Sequence, residues 1–205
     1  MSSFFQKHEH SHKAGISTIF ILDWDDTLFP TSWFLTNNIN KYKLDNYFNK
    51  LDQELNIFLN KLLEVGKIII ITNASYDWVI ESSKFLKQTH QLITQLKIIS
   101  AREIYQHKTD QIKWKILTFL EYFKNNIEYY NNIISIGDAE YEYNAIVTLY
   151  KLNNKKKIFF KSIKFIKYPT FDYLLEQLKI LNIVDNIYIN KRHSDILFVK
   201  KFEYK

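Results

Sequence analysis

Short apolar runs alternate with amphipathic stretches along this chain. Ile19–Leu22, Ile68–Ile71, Leu96–Ile99, Ile133–Ile136 and Ile158–Phe165 are brief, mostly apolar and rich in β-branched residues. Runs of that length and composition predict strands covered on both faces, the first over about 18–24. Between them, Leu44, Tyr47, Phe48, Leu51, Leu55, Phe58, Leu59, Leu62 and Leu63 recur at helical spacing, so the pattern predicts a helix over 44–65 that stops at Gly66. Further helices are expected over 76–89, capped by Ser75 or Asp77, and over 111–124, capped by Asp110. The second of these has Ile112, Ile116, Leu117 and Leu120 as its expected core stripe. Helices over 139–150 and over 171–181, just after Pro169, complete the set. Residues 31–36 read as irregular, and 101–110 as a loop. The C-terminal segment reads as a hairpin of strands 186–190 and 195–202.

Strand and helix alternate at the spacing of α/β folds. The expectation is a Rossmann-like parallel sheet with helices on both faces, a single domain over 16–205 after a mobile tail over 1–15. His8, His10 and His12 alternate in that tail, which is a spacing able to hold a transition metal.

Composition narrows the function classes. The 205 residues include no Cys, so neither a disulfide framework nor a thiol nucleophile is available. Twenty-eight basic and 22 acidic residues give a net charge of +6, a modest attraction for anions that favours a solvated basic surface over nucleic-acid binding. The same reading applies to the basic stretch of Lys155, Lys156, Lys157, Lys161, Lys164 and Lys167. No apolar run reaches the roughly 20 residues that span a bilayer, and the N-terminus lacks a signal-sequence pattern. No membrane insertion is expected, and a cytoplasmic or other intracellular soluble setting is.

The candidate chemistry sits at strand ends. The first strand runs into Asp23-Trp24-Asp25-Asp26-Thr27, the second into Thr72-Asn73, the fourth into Gly137-Asp138, followed by Glu140 and Glu142. The carboxyl edge of a parallel sheet is where open α/β folds bind ligands. Two close carboxylates repel unless a cation or a shared proton relieves them, so Asp23 and Asp25 indicate a metal site or an acid/base pair. Lys115 or Lys113 can add a cation. They lie about 200° apart on a helix, so only one faces inward. Asp26 reads as a surface or capping acid.

This ordered set resembles the haloacid dehalogenase superfamily of phosphotransferases over roughly residues 17–165. Asp23, Asp25 and Thr27 match its Asp-x-Asp-x-Thr motif, Thr72 its second motif, Lys115 its third, and Gly137, Asp138 and Glu142 its fourth. The resemblance implies Asp23 as nucleophile, forming an aspartyl-phosphate, and Asp25 as general acid/base. It implies that Thr72 and the Asn73 backbone N–H bind the phosphate and that Lys115 balances charge. It also implies Mg²⁺ held by Asp23, the backbone carbonyl of Asp25, Asp138 and Glu142, the last directly or through water, with Glu140 in competition.

The intervals between these motifs leave no room for a large cap domain, so the site is expected to be open apart from a flap around Phe29–Leu35. An open site suits large substrates, with a phosphorylated protein first and a phosphorylated metabolite next. Trp33 and Phe34 either line the entrance or pack the flap. Arg102 either holds a second anionic group or makes a surface ion pair. A silent module that binds phosphorylated protein or nucleic acid is the competing use of the same surface.

Overall fold

The computed structural model describes residues 17–155, 157–184 and the backbone of 197–198. Five parallel strands form the sheet: β1 (Thr18–Leu22), β2 (Gly66–Thr72), β3 (Lys97–Ser100), β4 (Asn132–Gly137) and β5 (Phe159–Lys164). A two-residue strand, β6 (Leu197–Phe198), pairs with β5 in parallel. The spatial order is β3-β2-β1-β4-β5-β6. The chain therefore builds outward from β1 to β3, then returns to place β4 on the other flank of β1. A ligand crevice is expected at that reversal.

Eight helices are described: α1 (Thr31–Thr36), α2 (Lys41–Val65), α3 (Tyr76–Ser83), α4 (His90–Gln95), α5 (Ala101–Tyr105), α6 (Gln111–Phe123), α7 (Glu140–Asn153) and α8 (Phe171–Ile183). Strand alternation divides the core in two. Phe20, Leu22, Ile68, Ile70, Ile134 and Ile136 face α2 and α8. Ile19, Ile21, Ile69, Ile71 and Ile133 face the side packed by α6 and α7. Continuing the alternation, residue 23 belongs to the α6/α7 side and Trp24 to the other, where its ring stacks on Phe29.

Several elements differ from the sequence reading. The strand expected over 18–24 ends at Leu22, although the Asp23 N–H still donates to the Ile136 carbonyl at 2.9 Å. Residues 31–36 form α1 rather than an irregular stretch. Pro30 precedes that helix, and Asp26 accepts hydrogen bonds from the Ser32 N–H (2.8 Å) and hydroxyl (2.5 Å), so its first turn is tied from outside the helix.

The helix expected over 76–89 stops at Ser83. Buried Asp52 on α2 takes the N–H groups of Gln88 and Thr89, fixing a turn before α4. Residues 101–110 include α5, whose start is capped by Ser100, which accepts from the Glu103 N–H. Ser75 caps α3 as expected, whereas Asp110 precedes α6 without a side-chain cap bond.

The buried stripe of α6 is Lys115, Thr118, Phe119, Tyr122 and Phe123; of the expected stripe, Ile116 and Leu120 pack half-buried against the core. Ile112 is 55% exposed, and Leu63 on α2 also faces outward. Gly66 ends α2 and opens β2. A Cβ there would lie 2.3 Å from the Thr18 carbonyl oxygen, so the close β1–β2 approach needs the glycine.

Among the described residues, no helix is long and apolar enough to cross a membrane. The 1–15 tail, Lys156, and the expected strand at 186–190 with its turn lie outside the described residues.

Candidate functional site

The three strand ends meet as the topology requires. One cleft of about 380 Å³ is lined by Asp23, Asp25 and Asp26 after β1, Thr72 and Asn73 at the end of β2, and Asp138 after β4. Lys115 from α6 and Glu142 from α7 close its base. Every motif residue is therefore brought into this one cleft, except Thr27 and Gly137. The Thr27 side chain is fully buried in the turn behind the acids, and its hydroxyl has no hydrogen-bond partner among the described residues.

Lys115 is the hub. It is 1% exposed, with its ammonium 2.6 Å from Asp23 Oδ1 and in contact with Glu142 Oε1. Burial by itself would lower its pKa. The facing carboxylates of Asp23 and Glu142 outweigh that effect and hold it above the usual ammonium range. Lys113 is exposed, so helix geometry decides between the two lysines.

The acids divide in the same way. Glu140 is 63% exposed and pairs with Lys164, whereas Glu142 is buried. Glu142 Oε2 accepts the Ala139 N–H at 2.9 Å, which folds its side chain back over the β4 end. This fold requires Gly137, where a Cβ would lie 2.3 Å from Glu142 Cγ.

Asp23, Asp138 and Glu142 are all buried, and each offers one oxygen within 4.8 Å of the others. Burial raises the Asp138 pKa to about 8, with Asp23 and Glu142 adding to the rise and Lys115 opposing it. Burial also raises Glu142, opposed by Lys115 and reinforced by Asp23. Five carboxyl groups thus line this cleft against two lysines, Lys115 buried among them and Lys167 at the rim. Three buried carboxylates this close suit a hard divalent cation, because oxygen ligands and opposite charge relieve their repulsion. With both Glu142 oxygens already engaged by Lys115 and Ala139, the donor set fits a cation held by Asp23 and Asp138, with Glu142 contributing through water.

Asp25 is held differently. Its Oδ1 accepts from the Thr31 hydroxyl (2.5 Å) and the Trp78 indole N–H (2.9 Å). Burial and then the nearby Asp23 raise its pKa, while these two hydrogen bonds oppose the rise. A carboxyl raised in this way holds a proton more readily than an ordinary aspartate, which suits proton transfer. Asp26, expected as a surface or capping acid, is 4% exposed at φ 56°, a left-handed conformation that Asp tolerates better than most residues. It fastens α1 through Ser32, as a capping acid does.

Thr72 Oγ1 accepts the Ala74 N–H at 3.0 Å, which leaves its own proton free to donate into the cleft. The side-chain amide nitrogen and oxygen of Asn73 are buried without a hydrogen-bond partner among the described residues.

Trp33 and Phe34 pack the flap and do not line this cleft. Trp33 lies against Tyr47 and Phe171, and Phe34 against Phe29, Phe48 and Phe85. The basic stretch is not one solvated face: Lys161 is buried in β5, Lys164 is paired, and Lys167 reaches the cleft rim beside Tyr168.

Sequence reasoning missed Lys167, Tyr168, Tyr141, Gln111, Thr31 and Trp78 as lining residues. Only Thr31 lies close enough in sequence to the acid motif to have been suspected. The chain matches no protein-family model, no curated protein and no solved structure.

Proposed function

We propose that this chain is a Mg²⁺-dependent phosphohydrolase of the haloacid dehalogenase type, acting on phosphate monoesters. The observation that carries the reading is the single cleft that holds Asp23, Asp25, Thr72, Asn73, Lys115, Asp138 and Glu142 at the β1/β4 reversal. Mg²⁺, when bound among Asp23, the Asp25 carbonyl, Asp138 and Glu142, supplies positive charge against the phosphate.

An Asp23 carboxylate oxygen attacks phosphorus, and the P–O bond to the leaving group breaks. Asp25 gives its proton to the departing oxygen. It then takes a proton from the water that attacks phosphorus, breaking the P–O bond to Asp23 and releasing inorganic phosphate. Thr72 and Asn73 bind the phosphoryl oxygens. Lys115 pairs with Asp23 and orients its carboxylate.

No separate cap stands between the motifs. The stretch from Thr27 to Thr72 holds only α1, α2 and β2, and the stretch to Lys115 holds α3, α4, β3 and α5. The resulting open site suits a large phosphorylated substrate, a phosphoprotein first.

The test is hydrolysis of a generic aryl phosphate with Mg²⁺ and with chelator, beside Asp23→Asn. Metal-dependent turnover that disappears in the variant is expected. Equal residual rates in both proteins would overturn the reading.

A further inference from the structure

A second cleft, about 490 Å³, opens directly from the first and shares Asp25, Thr31, Asn73 and Gln111 with it. Its own walls are Trp78 and Trp114, with Leu35, Ala74 and Ser75 between them and Arg102 at the mouth. The volume is that of a small-molecule pocket.

Three features identify what it takes. Both indole N–H groups are already engaged, Trp78 with Asp25 and Trp114 with the Thr109 carbonyl, so what the two rings offer the cleft is apolar surface. Arg102 is exposed and has no ion-pair partner among the described residues. The unpartnered Asn73 amide stands where the two clefts join.

Asp25, the group that protonates the departing oxygen, also stands at that junction. A group that Asp25 protonates as it leaves phosphorus therefore has the second cleft directly beside it. We infer that the second cleft is the leaving-group site, and that it selects a phosphate monoester of a flat aromatic alcohol carrying a second anionic group. The tryptophans hold the ring by apolar contact and stacking, and the Arg102 guanidinium holds the anion. Asn73 donates its amide N–H at the junction. This inference rests on the phosphohydrolase reading.

The experiment compares kcat/KM for 4-carboxyphenyl phosphate, phenyl phosphate and cyclohexyl phosphate in wild type, Arg102→Ala and Trp114→Leu. The wild-type-to-variant ratio for each ester cancels its intrinsic reactivity. Arg102 lies outside the catalytic machinery on a short exposed helix, so its removal leaves folding intact. Arg102→Ala is expected to lower kcat/KM for the carboxylated ester about tenfold, mainly through KM, and to leave phenyl phosphate unchanged. Trp114→Leu is expected to penalise both aryl esters over the cyclohexyl ester.

Losses equal across all three esters, or no losses, would overturn the leaving-group site. Turnover that still needed Mg²⁺ and Asp23 would then leave the phosphohydrolase reading standing. Absence of wild-type turnover on every ester would overturn both.

Discussion

Replacing Lys115 by Met keeps the volume of a long unbranched side chain but removes the ammonium buried between Asp23 and Glu142. At 2.6 Å from Asp23 Oδ1 and an effective dielectric near 20, that one pair is worth about 6 kcal/mol of Coulomb attraction. Its desolvation offsets part of this, and breaking a buried pair from one side typically costs roughly 3–5 kcal/mol. For a chain of this size in urea, an m-value near 2.5 kcal/mol/M converts the loss to a midpoint lower by about 1–2 M.

The assay is urea unfolding in chelator at pH 8 and at pH 5, followed by tryptophan fluorescence. The deficit should be larger at pH 8. At pH 5, Asp138, raised to about 8 by burial, takes up a proton and relieves repulsion that Lys115 no longer balances. Added Mg²⁺ should recover part of the loss at pH 8. A variant that unfolds at the wild-type midpoint at pH 8 would refute the claim that Lys115 neutralises this cluster.

The metal-free wild type should itself lose stability as pH rises. Asp138 has a folded pKa of about 8 against an ordinary 3.8. The folded state therefore binds more protons through that window, and stability present below about pH 4 declines toward pH 8. A flat stability profile over that range, measured by urea unfolding in chelator, would contradict the burial argument. Gly137→Ala should displace the Glu142 side chain and weaken Mg²⁺ binding about tenfold in calorimetry, because the new Cβ would meet Glu142 Cγ at 2.3 Å. Unchanged affinity would remove Glu142 from the metal site. Trp78→Phe keeps the ring packed against Phe29 and Phe34 but deletes the donor to Asp25. It should lower kcat about tenfold with little change in the unfolding midpoint, whereas an unchanged kcat would show that Asp25 needs no such positioning.

The strands were legible because buried parallel strands are written as short, mostly apolar, β-branched runs, as Ile68–Ile71 is throughout and Ile133–Ile136 is apart from Ser135. The order of acids, Thr72 and Lys115 was legible because strand ends converge by topology alone. The α6 stripe was only partly legible, with Ile116 and Leu120 read correctly as core-facing. Its buried positions follow helical spacing, but Lys115 and Thr118 occupy two of them, and a polar residue on a buried face breaks the hydrophobic pattern it belongs to. The breaks at α1 and α4 were hidden because the groups that cause them, Asp26 and Asp52, act across turns and, for Asp52, across 36 to 37 residues of sequence. Trp78 was invisible as a site residue because its partner Asp25 lies 53 positions away. Lys167 and Tyr168 reach the cleft only because β5 lies beside β4.

The central claim is a covalent phosphoryl group on Asp23. Mixing the protein with Mg²⁺ and an aryl phosphate, quenching in acid within the first turnover, and mapping peptides by mass spectrometry tests it directly. The account predicts one added phosphoryl group on the peptide containing Asp23, absent in Asp23→Asn and absent in chelator. Turnover with no such adduct while Asp23→Asn remains active, or an adduct on any other residue, would contradict it.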